Sequence, residues 1–476
     1  MIRLFTACFF STLLGFLALS AMLRQVPIRN RILFFIGASF PAGAGICSLI
    51  LFASYLILPS AAKPISLVLS LLSITVLMGY WIYQPRPQHP DPLHTWIRPI
   101  PLKDKRALLE RLPACLSFLL FATTLVTLLQ FYSLSASMDI FGGGDARYFW
   151  TLKSKFFFRS PTEWLGMFSP KLFWAHTDYP LLFPGILAWG WTWMGHESLL
   201  WPPLVSLGFY ISCAWILVWY LSAYVSWSTG WIGGTFFLVL APYLRWSIYQ
   251  YADVPLTFFM TACGLTLMAA LRSDQKKIFI VSGLLGGFAA WTKNEGFLFI
   301  AWVFLLLGGI CASRYHKKHR EPFRPLLEFS LGALLPLLAF GIVKFFLGSH
   351  GNYLGSGPTL ETHSGLLFSG WNKTFTILKA FYAWMIPFEE WKGLWGFFIA
   401  AAVVFGIRKE KSPIDYAGVL FLIVVLINLG YILTFHITPH NLVWHINTSL
   451  NRLLLHSGGL ALAFSFESLT LTRKKL

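Results

Sequence analysis

Apolar stretches long enough to cross a hydrocarbon core of about 30 Å recur from one end of the chain to the other. Candidate spans fall at roughly 2–22, 32–58, 64–83, 114–135, 199–224, 229–247, 254–271, 278–292, 297–312, 326–347, 394–407, 415–435 and 451–468. This pattern predicts an all-α polytopic membrane protein with about thirteen transmembrane helices. Residues 2–22 carry one Arg and end in small residues, which also fits a signal peptide. A second apolar run directly after Arg24, Arg29 and Arg31 favours a retained span. Tyr179–Met194 is shorter and contains Pro180 and Pro184, so it is expected as a surface or re-entrant helix.

The polar positions between these runs are unevenly charged. Of the 37 Lys and Arg residues, 23 lie in 23–31, 84–113, 272–277, 313–324, 408–413 and 469–476. The positive-inside rule assigns those short segments to the cytoplasm. Alternation then makes 136–198 one long outer loop. The other outer segments are 59–63, 248–253, 293–296, 348–393 and 436–450. Ten of the nineteen acids fall on this outer side: Asp139, Asp145, Glu163, Asp178, Glu197, Asp253, Glu295, Glu361, Glu389 and Glu390. The expected divisions are 1–113, three helices and a basic loop; 114–312, a core with the outer loop; and 313–476, the C-terminal helices.

Composition narrows the class. With 56% hydrophobic and 12% charged residues, the chain is not a soluble globular protein. Its net charge of +18 follows from positive-inside loops and contact with anionic membrane lipids, without nucleic acid. All six cysteines sit inside apolar runs and none has metal-ligand spacing.

Candidate chemistry collects in four outer segments. Phe141–Phe156 places three glycines before Asp145. After it, Tyr148, Phe149, Trp150, Leu152 and Phe156 alternate with Arg147, Lys153 and Lys155, the pattern of an interfacial amphipathic helix. His176-Thr-Asp178-Tyr-Pro180 precedes the re-entrant segment. Tyr249–Pro255 contains Tyr251 and Asp253, and Trp291–Gly296 contains Lys293, Asn294 and Glu295. Asp145, Asp178 and Asp253 could each be helix N-caps, and Lys293 a snorkelling anchor. His436, His440 and His445 have weak metal spacing, and no cofactor is expected, with a divalent metal left open. Arg452 begins the last span as a candidate anion-binding cation. Carboxylates and cations on one outer membrane face suit an amphiphilic, phosphate-bearing substrate. A carboxylate takes the proton of an acceptor hydroxyl and a cation neutralises the leaving phosphate.

In motif order the chain resembles the GT-C class of integral membrane glycosyltransferases. It is most similar to the bacterial protein-mannosyltransferase-like and lipid A aminoarabinose-transferase-like branch. The matching features run from about 114 to 312. They are an outer loop with an early Asp (Asp145), Tyr-Pro-Leu-Leu-Phe-Pro at 179–184, Ala-Asp-Val-Pro-Leu at 252–256 and Thr-Lys-Asn-Glu-Gly at 292–296. The resemblance implies a polyprenyl-phosphate sugar donor and a lipid, glycan or protein acceptor at the outer face of the plasma (inner) membrane. It further implies catalytic roles for Asp145, as acceptor base, and for Asp253, with Lys293 as the cation near the donor phosphate. On the residues' own chemistry Arg452 and Arg147 join Lys293 as phosphate-binding cations. Asp178, His176, Tyr251, Asn294, Glu295 and Lys155 would orient substrate. Two departures stand out: Ala146 replaces the second acid of the family's usual pair, and three spans precede the motif-bearing one. A lipid or glycan transporter, or a non-catalytic scaffold of an envelope-assembly complex, is the alternative.

Overall fold

The computed structural model describes residues 1–85, 105–348, 371–406, 416–438 and 440–473, with side chains for all of these except 105–110, 371 and 470–473. Glu361, most of the basic loop 84–113, the stretch 349–370 and the 408–413 loop lie outside the described residues. Every regular element described is helical. In chain order they are α1 (Ile2–Leu23), α2 (Arg31–Ile57), α3 (Ala62–Tyr83), α4 (Lys105–Met138), α5 (Thr151–Arg159), α6 (Leu182–Met194), α7 (Trp201–Tyr224), α8 (Trp227–Leu238) and α9 (Ala241–Ile248). They continue with α10 (Asp253–Ser273), α11 (Lys276–Thr292), α12 (Asn294–His316), α13 (Arg324–Ile342), α14 (Trp371–Met385), α15 (Phe388–Trp391), α16 (Leu394–Gly406), α17 (Tyr416–His436) and α18 (Leu442–Arg473).

Among the described residues nine helices are long and apolar enough to cross a membrane, which makes this an all-α multi-pass membrane protein. The run at 229–247 divides into α8 and α9, because Pro242 starts a new helix. Helices α11 and α16 are short, at 17 and 13 residues. Helix α18 has 32 residues, but Arg452, His456 and Glu467 dilute its apolar character.

Helix α10 is the axis of the bundle: every residue from Asp253 to Leu271 is buried. It packs against α7, α11 and α18. Lipid tails are as apolar as leucine, so such helices associate through close packing at small residues. Gly459 of α18 is one: a Cβ there would sit 2.5 Å from Thr261 Oγ1 of α10. Helix α6 is no surface helix. Its residues from Leu182 to Trp191 are buried, and it packs against α1, α2 and α5. The first helices belong to the same core. Helix α2 packs against α6 and α7, Lys63 Nζ donates to the Phe158 carbonyl at 3.0 Å, and the Tyr55 hydroxyl donates to that of Phe157. They therefore fix α5, which follows Asp145.

The two ends of α10 are polar. At its last turn Arg272 lies 5.4, 4.4 and 4.9 Å from the ring centroids of Tyr220, Tyr224 and Tyr416 and pairs with Glu467 of α18. The Tyr220 hydroxyl donates to the same carboxylate at 2.7 Å. Asp253 occupies the other end.

Candidate functional site

The Asp253 end gathers groups from five parts of the sequence. Asp253 Oδ1 accepts from Lys293 Nζ at 2.9 Å, and Lys293 also lies 3.1 Å from Glu295 Oε1. Both Asp253 and Lys293 are buried, at 1% and 4% exposure. A buried lysine needs this pairing, since an isolated ion costs several kcal/mol to desolvate. His456 Nε2 of α18 faces the same Oδ1 at 3.2 Å, and its Nδ1 lies 2.8 Å from the Tyr431 hydroxyl of α17. With Nε2 donating to the carboxylate, Nδ1 accepts from the tyrosine, and both ring nitrogens are satisfied. Asp253 Oδ2 and Glu295 Oε2 are buried with no hydrogen-bond partner among the described residues.

Asp145 joins this cluster through Arg452. Gly142, at a φ of 67°, allows the turn that brings the loop against the Tyr249 carbonyl. The Asp145 N–H donates to the Tyr251 hydroxyl at 3.3 Å and its carboxylate pairs with Arg452. The Arg452 guanidinium lies 5.7 and 5.5 Å from the ring centroids of Trp246 and Tyr251. Asp145 makes no side-chain cap for the helix it precedes, and neither does Asp253.

An aromatic stack closes the cluster. Tyr179 stacks on His176 and Trp150, with centroids 4.7 and 5.6 Å away, and Lys293 Nζ lies 5.9 Å from its ring centroid. Lys153, at 1% exposure, anchors the stack by donating to the carbonyls of His176 at 2.6 Å and Tyr179 at 3.3 Å. Burial pulls the Lys153 amine down to about 7; the Asp178 charge works against that shift and Lys344 with it. Burial also lowers the His176 imidazole. Asp178 Oδ2 accepts from Asn294 Nδ2 and Lys344 Nζ, both at 2.9 Å. Burial pushes the Asp178 carboxyl up, but the Lys344 charge and these two hydrogen bonds outweigh it, and the group stays below the usual carboxylate range.

The structure therefore brings together Asp145, His176, Asp178, Tyr251, Asp253, Lys293, Asn294, Glu295 and Arg452. It leaves two expected residues outside. Arg147, with a side chain 51% exposed, pairs with Asp139 at 2.9 Å and bonds the Gly142 carbonyl at 3.0 Å. Lys155 acts on Glu197, which is bound to Arg159. Sequence reasoning missed His456, Tyr431, Lys344 and the inward turn of Lys153. Single ionisable residues within apolar runs were the available signal for His456 and Lys344. Among the described residues no group of three or more His, Cys, Asp or Glu is placed to hold a metal ion. Comparison with protein-family models, with curated proteins and with solved structures finds no match.

Proposed function

We propose that this protein is a GT-C-type glycosyltransferase that moves a sugar from a polyprenyl-phosphate donor to an acceptor hydroxyl at the outer face of the plasma membrane. The observation that carries the reading is the pairing of Asp145 with Arg452 beside the Lys293–Asp253 pair. Two carboxylates and two cations from remote segments thus converge at one end of the bundle. That suits inverting displacement, which needs a base for the acceptor and positive charge for the leaving group. Asp145 is the base. The acceptor oxygen bonds to the anomeric carbon as its proton passes to Asp145. The bond from that carbon to the phosphate oxygen breaks, and its electron pair leaves on the phosphate. Arg452 meets that charge. Lys293 holds Asp253 and Glu295 in place, and the Asp253 charge attracts Arg452. Lipids carry the donor and line the route to it.

The test is transfer of radiolabelled sugar from a panel of sugar polyprenyl phosphates in membranes containing wild type or Asp145→Asn. Loss of transfer at equal expression is expected. Retained transfer by Asp145→Asn would remove Asp145 as the base.

A further inference from the structure

The two cations of the cluster are held differently. Lys293 has two carboxylates on its ammonium, and His456 also fixes the oxygen of Asp253 that it uses. Among the described residues Arg452 has one carboxylate in direct contact, Asp145, with the Asp253 charge also nearby, and its Nε donates to the Thr448 carbonyl of its own helix at 3.2 Å. The Lys293–Asp253 pair is 5% and 1% exposed at its side chains, whereas Arg452 and Asp145 are 19% and 24% exposed. Their pair is therefore the cheaper one to open, because water and an incoming ligand reach it. A planar guanidinium binds carboxylate and phosphate with the same fork. One Arg cannot serve both fully at once.

Resting on the glycosyl-transfer reading, we infer that Arg452 is an exchange switch: the donor phosphate displaces Asp145 from Arg452 and so frees Asp145 to act as base. Before the donor arrives, Asp145 is occupied by Arg452 and does not take a proton from an acceptor. When the phosphate takes the guanidinium, the Asp145–Arg452 pair breaks and an Arg452–phosphate pair forms. The phosphate brings its negative charge with it, so the site gains that charge and Asp145 is left as an unpaired carboxylate. Donor binding then precedes acceptor activation, and water meets no free base while the donor is absent. Trp246 and Tyr251 flank the guanidinium with either partner, because Tyr251 touches Asp145 at its backbone N–H and not at the carboxylate that is exchanged.

The exchange is a competition and is measurable without knowing the sugar. The probe is radiolabelled undecaprenyl phosphate, bound at equilibrium to the full-length protein in nanodiscs. Asp145→Asn removes the competitor and should tighten binding by at least about fivefold, the lower end of ordinary site-to-site coupling. Arg452→Gln should weaken binding, Arg452→Lys should recover part of it, and Asp145→Asn in the Arg452→Gln background should change nothing. Should Asp145→Asn not remain monodisperse, Asp145→Ser carries the same expectation. Wild-type binding with equal or weaker binding by the Asp145 variants overturns the exchange and leaves the glycosyl-transfer reading in place. No binding by wild type overturns that reading and the exchange with it.

Discussion

Asp253 and His456 meet at 3.2 Å although 203 residues separate them, and the imidazole is held from behind by Tyr431. The carboxylate of Asp253 is thus fixed by α17 and α18 together, with Lys293 on the same oxygen. His456→Ala leaves the Tyr431 hydroxyl and one side of Asp253 without their partner. A loss of about 1–3 kcal/mol follows from orphaned buried groups, read as a lower melting temperature in detergent. His456→Gln, which keeps a donor near Nε2, should recover part of both stability and transfer. Equal melting temperatures for wild type and His456→Ala would contradict this bracing.

Lys293→Met removes the cation shared by Asp253 and Glu295 and leaves two carboxylates facing each other. Breaking a buried pair from one side costs about 3–5 kcal/mol. The variant should express poorly and melt well below wild type. Lys293→Met/Asp253→Asn should be more stable than Lys293→Met, because one uncompensated charge is gone. The double variant melting no higher than the single one would argue against the pairing.

Lys153 sets a pH dependence. Its folded-state value of about 7 lies below the ordinary 10.5. Between those values the unfolded chain holds more protons than the folded one, so stability rises with pH across that window. Below about pH 7 both states are protonated, and the contribution is flat and unfavourable. A single proton gives at most about 1.4 kcal/mol per pH unit. The melting temperature of wild type, relative to Lys153→Met, should climb from pH 7 to 9.5. A falling or flat difference would show that the amine stays charged in the fold.

Arg272 and Glu467 form the pair at the far end of α10. Arg272→Met or Glu467→Gln alone strands a buried charge and should cost several kcal/mol, whereas the double variant should cost less than the two losses added. Additive losses in a double-mutant cycle would exclude direct coupling.

Much of the site was legible in the chain. Asp145, Asp253 and Lys293 each stand beside a turn at the end of an apolar run, so alternation of spans puts them on one side. Their mutual pairing was not legible. Nothing local links Asp145 to Arg452, 307 residues away. Lys153 was misjudged for a different reason. A uniform helical phase groups it with Arg147 and Lys155 on a polar face, but Ala146–Trp150 forms a π-turn. Each such turn inserts about one extra residue and shifts the phase that follows, which turns Lys153 toward the stack and leaves Lys155 outside. His456 and Lys344 were passed over because an averaged hydropathy absorbs a single ionisable residue in an apolar run. The count of spans suffered in the opposite sense: α8 and α9 read as one run because Pro242 interrupts the helix without interrupting its hydrophobicity.

The buried axis α10 also sets a condition on biosynthesis. Asp253 and Arg272 emerge from the ribosome roughly two hundred residues before His456 and Glu467, their partners on α18. Until the C-terminal helix is made, α10 carries an ionisable group at each end with its α18 partner missing, in a medium where such groups are costly. A chain stopped before Leu442 never receives those partners. Only a chain that includes α18 can satisfy both ends of its own centre.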